Sequence, residues 1–245
     1  MYRWNRGLWT TPNHQKRWFF YRGGTNDWNT IQSAFREDEY GILSVDFKKN
    51  DVVLDIGAHI GAVTLLFTTC RPDLKIYAFE PMPENFDILE KNIRENAPES
   101  EVNIFRQAVW FYDDDKVKLY YGDNSQSGKI HKFIGSQFFV HDFYRPSVFK
   151  RVETVSLSKI FEENHIFSCK LIKLDAEGAE YGILKGTPKG VLEMIDQIHG
   201  EYHNIEPARI KKPRQKLLEQ TKGVFRDATG FPEKGKIGPF VFVKK

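Results

Sequence analysis

The stretch Val52 to Gly61, reading VVLDIGAHIG, with Glu80 nineteen residues after Gly61 in IYAFEP, constrains the fold more than any other feature of this chain. Val52, Val53, Leu54 and Ile56 form a short apolar run of the kind buried in a parallel sheet. Gly57 to Gly61 is then a sharp turn, because glycine tolerates positive φ and lets ligand atoms approach the backbone closely. Val63, Leu66, Phe67 and Cys70 recur at i, i+3, i+4 and i+7, so a helix follows with one face on the sheet. Lys75 to Glu80 reads as a second strand that completes a βαβ crossover, with Glu80 at its carboxyl end. Ligands of open α/β sheets sit outside those ends.

Two ligand classes compete for such a turn. A dinucleotide fingerprint wants G-x-G-x-x-G, whose second glycine makes room for the pyrophosphate. Here the pattern is G-A-H-I-G, and His59 places an imidazole where that glycine belongs. Asp55, just ahead of the turn, disfavours a doubly anionic pyrophosphate and suits a cation. S-adenosylmethionine has an α-ammonium group, a ribose diol and no phosphate. Asp55 for the ammonium, the Gly57 to Gly61 turn, and Glu80 for the two ribose hydroxyls match those three parts.

These residues resemble the FkbM-type S-adenosylmethionine-dependent methyltransferases. Three segments carry the likeness: VVLDIGAHIGAVT at 52 to 64, YAFEPMPENFDILEKNI at 77 to 93, and LIKLDAEGAEYGILKGT at 171 to 187 with its D-x-E-G-A-E core. RGGTNDWNTI at 22 to 31, with Glu39 and Tyr40, is similar to the segment that precedes the first strand in that family. The resemblance implies an α/β class I methyltransferase (Rossmann-like) fold: a mostly parallel seven-stranded sheet, helices on both faces and an antiparallel closing strand. It also implies methylation of a hydroxyl on a sugar or secondary metabolite. The family often has Asn where this chain has His59, and the region 110 to 152 matches no part of the pattern.

The βα pattern runs from about 51 to 204 without a linker-like break, which favours one domain at 51–245 behind an aromatic and basic cap segment at 1–50. In the cap, Gly23-Gly24 reads as a turn, and Ile31, Phe35 and Ile42 as a helical stripe. A lid over the pocket and plain packing on the domain are equal readings of it. Glu84 to Asn96 reads as the second helix. Val102 to Val109 reads as the third strand, placing Gln107 and Ala108 beside the adenine. Val117 to Tyr121 reads as an added strand, followed by a polar binding loop at 122 to 131. Leu171 to Leu174 is the fourth strand, Glu177 to Gly186 its helix, and Asp196 to His203 the fifth strand. A helix is expected from Pro207, and Val224 to Arg226 with Phe240 to Val243 as the closing antiparallel pair. No apolar run approaches the length of a membrane helix, and MYRWNRGLW lacks a signal-peptide core. The two cysteines, Cys70 and Cys169, sit in apolar surroundings and read as free thiols. A cytoplasmic protein without membrane insertion is expected.

The cofactor set expected from these readings is Thr25, Asp55, Gly57, Ala58, His59, Gly61, Glu80, Pro81, Gln107, Ala108 and Asp175. The candidates for catalysis are Asp175, Glu177, Glu201 and His203, because the fourth and fifth strands deliver their ends to the methyl face. His203 or Asp175 is the expected base, His203 because an ordinary pKa of about 6.5 suits neutral pH. Glu177 and Glu180 have a plainer reading as acids at a helix N-terminus. Asp175, Glu201 and Asn204 also resemble, in strand position, the oxygen ligands of Mg²⁺ in catechol-type O-methyltransferases. The leading reading is O-methylation of a small molecule, sugar or glycan. Its rivals are RNA methylation through the basic run Lys211, Lys212, Arg214 and Lys216, a cofactor-binding protein without catalysis, and, remotely, a dehydrogenase. With a net charge of only +3, bulk electrostatics do not require a nucleic-acid partner.

Overall fold

The computed structural model describes residues 4–113, 117–121, 148–203, 212–233, 235 and 237–245. In chain order the strands are β1 (Trp4–Thr10), β2 (Lys16–Arg22), β3 (Val52–Ile56), β4 (Lys75–Phe79), β5 (Glu101–Phe105), β6 (Gln107–Trp110), β7 (Val117–Tyr121), β8 (Val148–Ser156), β9 (Cys169–Leu174), β10 (Ile195–His203), β11 (Phe225–Asp227) and β12 (Ile237–Lys244). The helices are α1 (Asp27–Gln32), α2 (Ala62–Cys70), α3 (Pro83–Asn96), α4 (Leu157–Glu163), α5 (Glu180–Gly186), α6 (Lys189–Leu192) and α7 (Pro213–Glu219).

A seven-stranded sheet in the order β11-β12-β10-β9-β3-β4-β5 organises the molecule. Its five inner and edge strands from β10 to β5 are parallel, and β12 closes it antiparallel to β10 and β11. The chain runs outward from β3 through β4 to β5 and then returns on the other side of β3 with β9. The strand order therefore reverses between β3 and β9, the place where such sheets hold ligands. Alternation divides the core. Val53, Ile76, Ala78 and Leu171 face one side with α2 and α3, whereas Leu54, Phe79, Ile172 and Leu174 face the other with α4 and α5. The expected architecture is present.

Four local differences have physical causes. The expected third strand breaks at Arg106: β5 stays in the main sheet, and β6 leaves it to pair with β8 in a three-stranded sheet completed by β7. The helix expected from Glu177 begins at Glu180, because Glu177 (φ 50°) and Gly178 (φ 105°) turn the chain first. At the amino end, β1 and β2 form a hairpin that the aromatic-rich sequence did not announce. Its Phe19 packs edge-on to Phe35, while Asn92 and Asn96 of α3 bond the backbone of Trp18 and Phe20. Ile31, Phe35 and Ile42 are all buried, but α1 passes into a π-helical turn at Ser33–Glu37, and Ile42 lies on a separate 3-10 turn. The 122 to 131 loop, Asn204, Lys211 and the start of the helix expected from Pro207 lie outside the described residues, and the helix described in that segment, α7, begins at Pro213. Cys70 and Cys169 are free thiols. No helix among the described residues is long and apolar enough to cross a membrane.

Candidate active site

A cleft of about 380 Å³ opens at the carboxyl ends of β3, β4 and β9. Of the expected residues, Gly57, Ala58, His59, Glu80, Pro81, Gln107, Ala108, Asp175, Glu177 and Glu201 line it, whereas Thr25, Asp55, Gly61 and His203 do not.

Gly57 makes the turn possible. Its φ is 78°, and a Cβ there would stand 1.9 Å from the carbonyl oxygen of Asp175. The Gly57 and Ala58 N–H groups both donate to the Phe79 carbonyl at 3.0 Å, tying the turn to β4. Gly61, at φ 87°, closes the turn into α2 and also permits close packing: its Cβ would meet Leu89 of α3 at 2.7 Å. His59 holds φ 52°, a left-handed conformation that Asn adopts more readily than most residues. Its imidazole lies 3.3 Å from an Arg22 nitrogen, and Arg22 makes a two-pronged pair with buried Asp27. Burial first, then Arg22 and Lys173, pull His59 down to about 4 against the opposing pull of Asp27, so it is neutral at pH 7. Thr25 bonds only its own loop, donating to the Arg22 carbonyl and accepting from the Asp27 N–H.

Glu80 follows β4 at the cleft wall. One carboxylate oxygen accepts from the His59 N–H at 2.9 Å; the other accepts from the Met82 N–H at 2.9 Å and the Asn85 amide at 3.2 Å. Burial raises its pKa to about 6 although these three donors and Lys173 oppose the rise. The oxygen bonded to His59 keeps a lone pair for a ligand hydroxyl.

Asp55 does not meet the expectation of an ammonium contact. It is fully buried, accepts from the Thr64 hydroxyl at 2.6 Å, and lies 3.4 Å from the Lys173 ammonium, which supplies its countercharge. Lys173 is the residue that sequence reading passed over. The signal was present in LIKL, a lysine inside a run that must be buried on both faces. Its ammonium donates to the Gly57 carbonyl at 2.7 Å and the Ile56 carbonyl at 3.3 Å, lies 3.9 Å from Asp175, and faces the cleft. Burial pulls its pKa down, but Asp55, Asp175 and Glu39 outweigh that and raise it, so the charge is kept.

Asp175 accepts from the Tyr40 hydroxyl at 2.7 Å, and the Tyr40 carbonyl lies 2.7 Å from a ring nitrogen of His199. Burial, then Asp175, Glu39 and Glu201, push the Tyr40 phenol well above its ordinary value, which makes it a fixed donor. Glu39 at the mouth is raised to about 7, by burial of its carboxyl and by Asp175 and Glu201, with Lys173 opposing; its exposed flank lets water offset part of this.

His203 is not available as a neutral base. It is 5% exposed, and the carboxylates of Glu180, Glu201, Glu177 and Asp175 lie 3.3, 3.3, 3.6 and 3.9 Å from its ring nitrogens. Burial lowers its pKa, but Glu180, Glu201 and Asp175 outweigh this and raise it to about 11, so it stands as an imidazolium. Glu180 is a clamp: fully buried, it accepts from the Ala176 and Gly178 N–H groups and shapes the loop after β9. Of the Mg²⁺ set, Asp175 and Glu201 line the cleft and Asn204 lies outside the described residues. The grouping close enough to share an ion among the described residues is Asp175, Glu180 and His203, and a protonated imidazole with a carboxylate already taken by backbone donors suits that ion poorly.

The remaining wall comes from the amino-terminal segment. Asn26, Asn29, Thr30 and Ser33, spaced i, i+3, i+4 and i+7, line the cleft along one side of α1 and the turn after it. The spacing was readable in NDWNTIQS as a polar stripe, but nothing in it signalled a pocket. Trp9, Phe19, Tyr21 and Trp28 pack into the core instead, so the segment both packs on the domain and walls the cleft.

Residues 55–221 match the family profile described as "Methyltransferase FkbM domain". The chain is 26% identical over 198 residues to the hexuronic acid methyltransferase AglP of Haloferax volcanii, covering 80% of this chain and 72% of that one. It is 25% identical over 182 residues to the 31-O-demethyl-FK506 methyltransferase FkbM of Streptomyces tacrolimicus, covering 67% and 70%. Among solved structures, a putative rRNA methylase from Clostridium thermocellum superposes with a TM-score of 0.51 at 11% identity over 85% of this chain and 93% of that one, a likeness of fold alone.

Proposed function

The chain belongs to the FkbM methyltransferase family, and from that premise we propose that it methylates a hydroxyl of an uncharged, polyhydroxylated small molecule or sugar. It is a methyltransferase, and its family and fold imply S-adenosylmethionine as the methyl donor. The residues fit that cofactor. Gly57 lets the turn after β3 lie directly against the Asp175 carbonyl at the cleft, Glu80 offers a held carboxylate to a ribose diol, and Gln107 and Ala108 line the wall where an adenine would lie. The α-ammonium falls to the carboxylates that do reach the cleft, since Asp55 is committed to Lys173.

The observation that carries the acceptor class is the cleft's charge. Glu39, Glu80, Asp175, Glu177 and Glu201 line it, five carboxylates against the ammonium of Lys173 and the His203 imidazolium behind Asp175, Glu177 and Glu201, and Asn26, Asn29, Thr30 and Ser33 add only uncharged amides and hydroxyls. A cationic sulfonium is welcome there. A phosphate or uronate is not: two like charges 4 Å apart cost about 4 kcal/mol at the effective dielectric of a protein surface. This weighs against RNA as acceptor. It also separates this cleft from the acid sugar for which the AglP relative is named.

When bound, S-adenosylmethionine supplies an electrophilic methyl carbon whose bond to sulfur breaks as the acceptor oxygen bonds to it. The chain must align the hydroxyl and take its proton, and a positioned base contributes about 10² to 10⁴-fold. Glu39 is best matched to that task, because it lines the cleft beside Tyr40 and Asp175, and burial with Asp175 and Glu201 raises its carboxyl above the ordinary carboxylate range. Asp175, flanked by Lys173 and His203 and bonded to Tyr40, is better suited to hold a donor group in line. The test is methyl uptake from labelled cofactor by neutral sugars and polyols, uronates and RNA in parallel. Neutral hydroxylated acceptors should react; preference for uronate or RNA would overturn the acceptor class.

A further inference from the structure

The β1–β2 hairpin carries a surface the catalytic reading does not use. Its odd-numbered side, with Trp9, Phe19 and Tyr21, packs into the core. The other side holds Trp4, Arg6 and Leu8 on β1 and Lys16 and Trp18 on β2, bordered by Phe20, which is half-buried against the core; Leu8 lies directly opposite Trp18 and Arg6 opposite Phe20. Trp4, Leu8 and Trp18 remain 44%, 43% and 42% exposed. Such large apolar side chains, side by side on a sheet anchored through its reverse face, mark a contact surface.

Charge defines what fits it. The first 26 residues contain Arg3, Arg6, Lys16, Arg17 and Arg22 and none of the chain's 33 acids; the first carboxylate, Asp27, is consumed by Arg22. Lys91 of α3 joins the patch, its ammonium 4.1 Å from the Phe20 ring centre and 5.4 Å from that of Trp4, while the Arg6 guanidinium lies 4.2 Å from that of Trp18. Indoles with a polar edge, an aliphatic side chain between them and a fringe of cations are the composition of a membrane-interface belt. A nucleic acid would ask for open aromatic faces on which bases stack, and here each of these rings already carries a cation over one face. Leu8, at the middle of the patch, offers nothing to a base or a phosphate.

We propose that this hairpin face docks the enzyme peripherally on an anionic bilayer, with Trp4, Leu8 and Trp18 entering the headgroup region and Arg6, Lys16 and Lys91 pairing with lipid phosphates. The experiment is co-sedimentation of the full chain with phosphatidylcholine vesicles, with and without phosphatidylglycerol, alongside tryptophan emission. The chain should sediment with the anionic vesicles, shift its emission to the blue, and stay free of the neutral ones. Arg6→Gln and Lys16→Gln should each weaken binding about fivefold, the effect expected of losing one cation near a charged surface. Leu8→Ser should weaken it also at constant charge, which attraction by charge alone would not produce. Both Arg6 and Lys16 are exposed, so those variants keep their melting temperature and read binding even if Leu8→Ser unfolds. Absence of sedimentation with anionic vesicles overturns the proposal, as does binding to single-stranded oligonucleotides in preference to them.

Discussion

Replacing Lys173 with Met tests the electrostatic frame of the cleft at its most buried point. Lys173 is 3% exposed and Asp55 fully buried, and their charged groups lie 3.4 Å apart. Methionine fills much of the same volume but leaves the Asp55 carboxylate with the Thr64 hydroxyl alone and the Gly57 carbonyl without its ammonium donor. Breaking a buried pair from one side costs about 3 to 5 kcal/mol, because the surviving charge is left without compensation. That is a large part of the roughly 5 to 15 kcal/mol by which domains are stable. With a urea slope of about 2 to 3 kcal/mol per M, the denaturation midpoint should fall by about 1 to 2 M. Asp55→Asn combined with Lys173→Met should lose less than the sum of the single losses. A loss under about 1 kcal/mol for Lys173→Met, or strict additivity in the double variant, would refute the pairing.

Three further outcomes follow from the same geometry. Gly57→Ala must move a backbone now at φ 78° and clear a 1.9 Å approach to Asp175, a strain of about 1 to 3 kcal/mol that should appear as that loss of stability in urea denaturation. Glu39→Gln should lower kcat by about 10² to 10⁴-fold with little change in cofactor affinity. In the parent enzyme, activity should rise with pH through about 7 as that carboxyl loses its proton, and this limb should vanish in the variant. His203, raised to about 11, contributes stability in full below its ordinary value of about 6.5 and loses it as pH rises towards 11. Thermal melts of His203→Gln should accordingly decline less steeply across that alkaline window than those of the parent.

The central βαβ unit was legible because its signals are local: an apolar run, a glycine turn, a helical stripe and an acid occupy 29 consecutive positions from Val52 to Glu80. The strands β9 and β10 were readable for the same reason. What escaped depends on contacts distant in sequence. β6 pairs with β8 across more than 40 residues, and no periodicity in either strand announces the other. Asp55 was placed on the right strand but given to the ligand, because its true partner, Lys173, lies 118 residues away on a neighbouring strand. His203 was assigned an ordinary pKa because four carboxylates that converge on it come from two separate segments, 175 to 180 and Glu201. The cleft's Asn26, Asn29, Thr30 and Ser33 wall resembles any solvated helix side until these residues are seen lining one cleft with Gly57 and Glu80.

The most direct test of the account is a crystal structure with S-adenosylhomocysteine bound. The ribose hydroxyls should lie on the Glu80 carboxylate, the adenine beside Gln107 and Ala108, and the sulfur should face the side of the cleft where Glu39, Tyr40 and Asp175 meet. Density for the ligand at any other place, or in this cleft with Glu80 turned away from the ribose, would contradict it.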